Sequence, residues 1–176
     1  MNSMSVEGIR TQLEIYPSVT VNEFDSCLEL IKGVLDPQEI VEWAQYGLDL
    51  ARQTPRSWEV TIEYCRVSKA VLRFLPFESV ILWANKGLEL TKLSPLLAGA
   101  FFRSSPKVIP VVRANYITRW ADLGGGLFDG TWRSSNLAVK FFDVSPKIIR
   151  HFPPWELERL CALIGSVARR SHDTAM

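Results

Sequence analysis

The apolar positions of this chain recur at helical spacing far more than they alternate. Ile40, Trp43, Ala44, Gly47, Leu48 and Ala51 fall on one face of a 3.6-residue period. Asp36-Pro37-Gln38-Glu39 in front of them is a start signal: an Asp cap, Pro at the first helical position and Glu at the third. Thr54-Pro55 and Ser94-Pro95 read as the starts of second helices, the first running to about Arg66. Ser105-Pro106 and Ser145-Pro146 read as the starts of a third, short helix with Val108-Ile109 or Ile148-Ile149 as its apolar content. Pro76, Pro110 and Pro153-Pro154 punctuate the ends of units. No segment alternates with period two between hairpin turns, so the pattern predicts an all-α chain without a sheet.

The helical segments also repeat. Trp43-Ala44-Gln45-Tyr46-Gly47-Leu48, Trp83-Ala84-Asn85-Lys86-Gly87-Leu88 and Trp120-Ala121-Asp122-Leu123-Gly124 share Trp-Ala-x-x-Gly, with a degraded copy at Arg159-Leu160-Cys161-Ala162. A second landmark follows: Phe101-Phe102-Arg103-Ser104-Ser105-Pro106 matches Phe141-Phe142-Asp143-Val144-Ser145-Pro146, and Tyr64-Cys65-Arg66-Val67-Ser68 is a weaker version. The tryptophans are 40 and 37 residues apart, the aligned serines 37 and 40. A period in this range marks stacked helical units. The expected architecture is a short α-solenoid (α-α superhelix) of about three repeats of 37–40 residues, each with one long, one medium and one short helix. Residues 1–176 read as a single domain: an N-terminal cap over 1–34, repeats over 35–74, 75–112 and 113–151, and a C-terminal cap over 152–176. Two short helices are expected in the first cap, near Val6–Tyr16 and Glu23–Lys32, and one over Trp155–Arg170 in the last.

Trp and Gly four residues apart share a helix face, and Gly inside a helix costs about 0.5–1 kcal/mol relative to Ala. Its return at Gly47, Gly87 and Gly124 therefore marks a close approach by a bulky neighbour. An aromatic of the Phe-Phe helix, Phe102 or Phe142, or one from the next unit fits that role.

A hydrophobic fraction of 47% is enough for a sizeable core, and 22% charged residues is ordinary for a globular chain. The net charge of +1 gives no global pull toward nucleic acid or an anionic membrane. No apolar run has the length of a membrane span, and Met1–Arg10 lacks the pattern of a secretory signal. Charge is nonetheless uneven. Residues 1–34 hold five acids and two bases, whereas 113–151 hold three acids and six bases. Lys107, Arg113, Arg119, Arg133, Lys140, Lys147 and Arg150 form the basic cluster, and equivalent positions of stacked units would align them into a stripe. That stripe favours an acidic protein partner over RNA or DNA.

Catalytic chemistry is hard to find in the residues. The histidines, His151 and His172, have no ligand-spaced Cys, His or carboxylate nearby, so neither a metal nor a cofactor site is expected. The three cysteines, Cys27, Cys65 and Cys161, are scattered over apolar helical stretches and read as buried free thiols of a reducing cytoplasm. Gly165-Ser166 lacks the flanking glycines of a nucleophile elbow. Gly124-Gly125-Gly126 follows a helix instead of a strand and lacks a Lys-Ser/Thr pair, so packing accounts for it better than a phosphate loop does. No catalytic residue is named.

The alternation of Trp83-Ala84-Asn85-Lys86-Gly87-Leu88-Glu89-Leu90 with Phe101-Phe102-Arg103-Ser104-Ser105-Pro106-Lys107-Val108-Ile109 resembles a known repeat. It is similar to the helical repeats in the amino-terminal regions of bacterial von Willebrand factor A-domain proteins of the nitric-oxide-reductase and Rubisco activation type. The resemblance covers about residues 35–165. It implies an adaptor beside a metal-binding A domain that works with a MoxR-type AAA+ ATPase. The chain has no Asp-x-Ser-x-Ser metal motif and no room for an A domain, so no site residue carries over. The expected function is a non-enzymatic cytoplasmic scaffold that binds another protein. The alternatives are a carrier of an apolar or aromatic small molecule between helices and, third, nucleic-acid binding through the basic middle repeats.

Overall fold

The start signal at Asp36 is a formed capping box. Asp36 Oδ1 accepts from the backbone N–H groups of Gln38 and Glu39, both at 2.9 Å, and the Asp36 N–H donates back to Glu39 Oε2 at 3.0 Å. From there the chain, described by a computed structural model over residues 5–15, 21–153, 155–156 and 159, is all-helical. The described residues form eight helices: α1 (Val6–Ile15), α2 (Val21–Ile31), α3 (Pro37–Gln53), α4 (Ser57–Leu72), α5 (Phe77–Leu93), α6 (Pro95–Val108), α7 (Tyr116–Gly126) and α8 (Trp132–Ile148). There is no strand among the described residues, and no helix there is long and apolar enough to cross a membrane. The helix expected over Trp155–Arg170 falls almost wholly outside the described residues.

Two helices, not three, follow one another in each period. Ser105-Pro106 and Ser145-Pro146 lie inside α6 and α8 and begin nothing new. Each Pro sits two residues before its helix end, so the backbone bond it removes belongs to the last turn and the helix stops shortly after it. The serine hydroxyls do not cap. Ser105 Oγ donates to the Phe101 carbonyl at 2.6 Å, and Ser145 Oγ bonds the Phe141 carbonyl in the same way. Likewise α4 begins at Ser57 and runs on to Leu72, beyond the expected end at Arg66. Thr54 closes α3, and its backbone N–H donates to Ser57 Oγ at 2.6 Å.

The helices pack in two rows. Odd-numbered helices touch their odd neighbours, even-numbered helices their even neighbours, and each odd helix also meets the even one that follows it. Lys86 on α5 reaches Asp122 on α7 at 3.0 Å, and Leu90 meets Gly125, so helices within a row run parallel. Within a pair they run opposite: Gly87 faces Phe102, and Trp83, one turn earlier, bonds Ser105, three residues later.

A run of aromatic rings joins the pairs. Phe24 stacks on Trp43 at 5.4 Å, Trp43 on Tyr64 at 5.9 Å and Tyr64 on Trp83 at 5.3 Å between ring centroids. Trp83 meets the Phe102 ring edge-on at 5.1 Å. Phe101, Trp120 and Phe142 continue it, again at 5.1 Å per step. Every landmark indole is thus buried between a ring of the preceding pair and a ring of its own, an arrangement worth about 0.5–1.5 kcal/mol per pair beyond area burial. The glycines provide the space. A Cβ on Gly87 would lie 1.8 Å from Phe102 Cζ, and one on Gly124 would lie 2.1 Å from Phe142 Cζ. Gly47 differs, since its nearest neighbour, Tyr64 Cε1, stands at 3.5 Å.

Candidate functional site

Reactive groups in the core are held in their unreactive forms. Burial pushes the Cys27 thiol from 9.0 up to about 12 and raises Cys65 well above its ordinary value. Tyr64, whose hydroxyl donates to the Trp43 carbonyl at 2.9 Å, is raised by the same desolvation. Both thiols stay protonated at neutral pH, which makes them poor nucleophiles and poor ligands. Among the described residues no group of three or more His, Cys, Asp or Glu is placed to hold a metal ion. His151 is exposed after α8, while His172 and Cys161 lie outside the described residues.

The surface of the odd row is stitched by polar bridges between neighbouring helices. Arg52 donates to Gln12 at 3.0 Å, Asn85 bonds the Tyr46 hydroxyl, and Lys86 joins Glu89 at 2.7 Å and Asp122 at 3.0 Å. These two carboxylates raise the Lys86 ammonium above its ordinary range, with Glu89 the larger influence. Beside Lys86 a groove of about 330 Å³ opens between α5 and α7, with Leu90, Leu93 and Phe128 on its apolar side and Glu89 and Asp122 on its rim. It exists because α7 stops at Gly126 while α5 runs to Leu93, and because Gly125 and Gly126 present no side chain.

The seven basic residues of the expected stripe are all exposed, but they divide. Lys107 ends α6, Arg113 lies in the link to α7, Lys147 ends α8 and Arg150 follows it. Because α6 and α8 are parallel neighbours, these four share one end of the molecule. Arg119 lies in the first turn of α7 near that end, its guanidinium 5.9 Å from the centre of the Tyr116 ring. Lys140 lies midway along α8. Arg133 starts α8 and so stands at the other end, roughly 21 Å from Lys147 at about 1.5 Å of rise per residue.

Within the four-residue group, no member pairs with a carboxylate among the described residues, whereas Arg10, Lys32, Arg52, Arg66 and Lys86 all do. The cause is compositional: no Asp or Glu occurs between Glu89 and Asp122. The carboxylates nearest in sequence, Asp122, Asp143 and Glu156, form no ion pair with them.

Sequence reasoning passed over the apolar half of this end. The N–H groups of Val34, Phe74, Val111 and His151 each donate to the carbonyl three residues earlier, at 2.8–3.0 Å, so one turn closes α2, α4, α6 and α8. It turns the next residue inward (Leu75 and Val112 are buried) and leaves Val34 55%, Phe74 53% and Val111 42% exposed. The signal was available, since Phe74, Val111 and His151 each stand six residues after the aligned serines 68, 105 and 145.

Comparison with known proteins returns nothing: no protein-family model, curated protein or solved structure matches the chain.

Proposed function

We propose that the chain is a non-catalytic helical-repeat adaptor that holds another protein against the outside of its stacked helices. In this reading α3/α4, α5/α6 and α7/α8 are three units of a short α-solenoid, spanning 35–74, 75–112 and 113–151. Residues 1–34 and 152–176 are the end caps, and the first cap uses α1 and α2 to continue both rows. One observation carries the proposal: each Trp repeats the same seat, between a ring of the preceding pair and a ring of its own. Units that meet only their neighbours make an extended surface out of a small core, and such surfaces hold other proteins. The ring run fills the space between the rows, which leaves the outer faces and turns for recognition. Two buried, protonated thiols are in keeping with a reducing cytoplasm. The link to a MoxR-type ATPase system and an A-domain protein rests on the motif resemblance alone.

A second reading, carriage of an apolar or aromatic small molecule, has the α5/α7 groove in its favour. Its volume is at the lower limit of ligand sites, and charged groups form its rim. Affinity capture from native cytosol, with nuclease treatment and native mass spectrometry, separates the readings. The adaptor predicts a protein bound at fixed stoichiometry that survives nuclease. A small molecule retained by the purified chain, or recovery of nucleic acid alone, would overturn it.

A further inference from the structure

The end of the molecule formed by the turns after α4, α6 and α8 combines two features that are separate elsewhere. It carries cations that pair with no carboxylate among the described residues, Lys107, Arg113, Lys147 and Arg150, and an outward apolar side chain at successive turns, Phe74 and Val111. A single exposed Val or Phe needs no explanation. Here the same backbone turn presents one after α2, α4 and α6 (Val34, Phe74 and Val111) and His151 after α8, along a row of helices packed side by side. Basic residues do complement the carbonyl ends of helices, and Lys107 and Lys147 serve that purpose. Arg113 and Arg150 lie beyond the helix ends, outside that role.

We infer that this edge docks an acidic, extended peptide segment of a partner protein, an inference that rests on the adaptor reading above. The occupant follows from charge and spacing. The edge offers positive charge with no acid of its own between Glu89 and Asp122, so its complement is acidic. Neighbouring helices of a row lie about 8–10 Å apart, so apolar side chains recur at about that interval. A polyproline-II strand rises about 3.1 Å per residue and returns each third side chain to one face, which is about 9 Å. The matching peptide therefore has an apolar residue at every third position and carboxylates between, and self-repulsion keeps it extended. RNA is the poorer complement. Single-stranded nucleic acid is held by stacking on aromatic faces, and the outward side chain beside Lys107 and Arg113 is the aliphatic Val111, with the aromatic Phe74 one turn of the row away from them.

The test uses the full chain and fluorescence anisotropy of a labelled (Leu-Glu-Glu)5 peptide. Its comparators are (Leu-Gln-Gln)5, a block-shuffled peptide of the same composition as (Leu-Glu-Glu)5, and a 15-nucleotide oligouridine. The acidic triplet peptide should bind best, and added salt should weaken it. The combined variant K107Q/K147Q/R150Q should weaken it about tenfold, as the loss of several rim charges does. Val111→Ser should weaken it by a further few-fold, and Arg133→Gln at the opposite end should leave it unchanged. Circular dichroism melts verify that each variant is folded. Should the glutamine variant unfold, single Arg113→Gln and Arg150→Gln changes outside the helices give the same readout. Equal binding of (Leu-Gln-Gln)5, tighter binding of oligouridine, or indifference to the folded glutamine variants overturns the inference. A protein captured from cytosol that still binds the K107Q/K147Q/R150Q variant would sink this edge and leave the adaptor reading standing.

Discussion

The first Trp–Gly helix pair and the two that follow use one motif in different ways. In α5/α6 and α7/α8 the glycine is filled by the ring of its own even helix, Phe102 or Phe142. In α3/α4 the aligned residue is Cys65, too short to crowd the glycine, and a Cβ on Gly47 would meet the flank of Tyr64 at 3.5 Å and Cys65 Sγ at 3.9 Å, both ordinary contact distances. The same letters therefore mark an obligatory glycine in two pairs and a tolerated one in the other. Polar satisfaction separates the pairs along another line. Trp83 Nε1 donates to Ser105 Oγ at 2.9 Å, while Trp43 Nε1 and Trp120 Nε1 are buried without a partner among the described residues. A shared motif thus conserves shape more closely than it conserves hydrogen bonding.

The comparison breaks most severely at the ring. Phe102→Ala should cost about 3–5 kcal/mol in chemical denaturation, because Phe102 is fully buried against Tyr64, Trp83 and Phe101. Gly87→Ala follows at about 1–3 kcal/mol, since the new methyl has no place beside that ring. Ser105→Ala strands the Trp83 N–H and should cost about 1–3 kcal/mol, read from thermal melts. Gly47→Ala reverses the sign, with a gain of about 0.5–1 kcal/mol from helix propensity in space already open to a methyl.

The smallest effect appears only at alkaline pH. The unfolded Cys27 loses its proton near 9.0 and the folded one near 12, so above pH 9 the folded state binds more protons and stability falls as pH rises. Denaturation at pH 10 should show a loss of about 1 kcal/mol relative to pH 8 from this thiol, and Cys27→Ala should reduce the slope, leaving the share that Cys65 contributes.

Helices and their buried faces were legible in the sequence because burial imprints a 3.6-residue rhythm, as from Ile40 to Ala51. The glycine seats were legible for the same reason: a costly residue returning at one register needs a contact to explain it. The number of helices per period was misread at Ser105-Pro106, because Ser-Pro has the same appearance at a helix start and in a last turn. What distinguishes them is Trp83, 22 residues away, to which the serine bonds. The basic stripe was legible in composition and not in geometry. Charge counts place Arg133 and Lys147 together, yet they sit at opposite ends of α8. The α5/α7 groove was not legible, since it depends on α7 ending one turn before its neighbour in the row.

The central claim, that Gly87 and Gly124 are each the seat of a particular ring, is tested most directly by a double-mutant cycle of Gly87→Ala with Phe102→Leu. The first pair has already made a similar exchange, with Cys65 opposite Gly47. Shortening the ring should relieve the new methyl, so the double variant should be more stable than the sum of the single losses by at least about 1 kcal/mol. Strict additivity, or a Gly87→Ala chain as stable as the parent, would contradict the account.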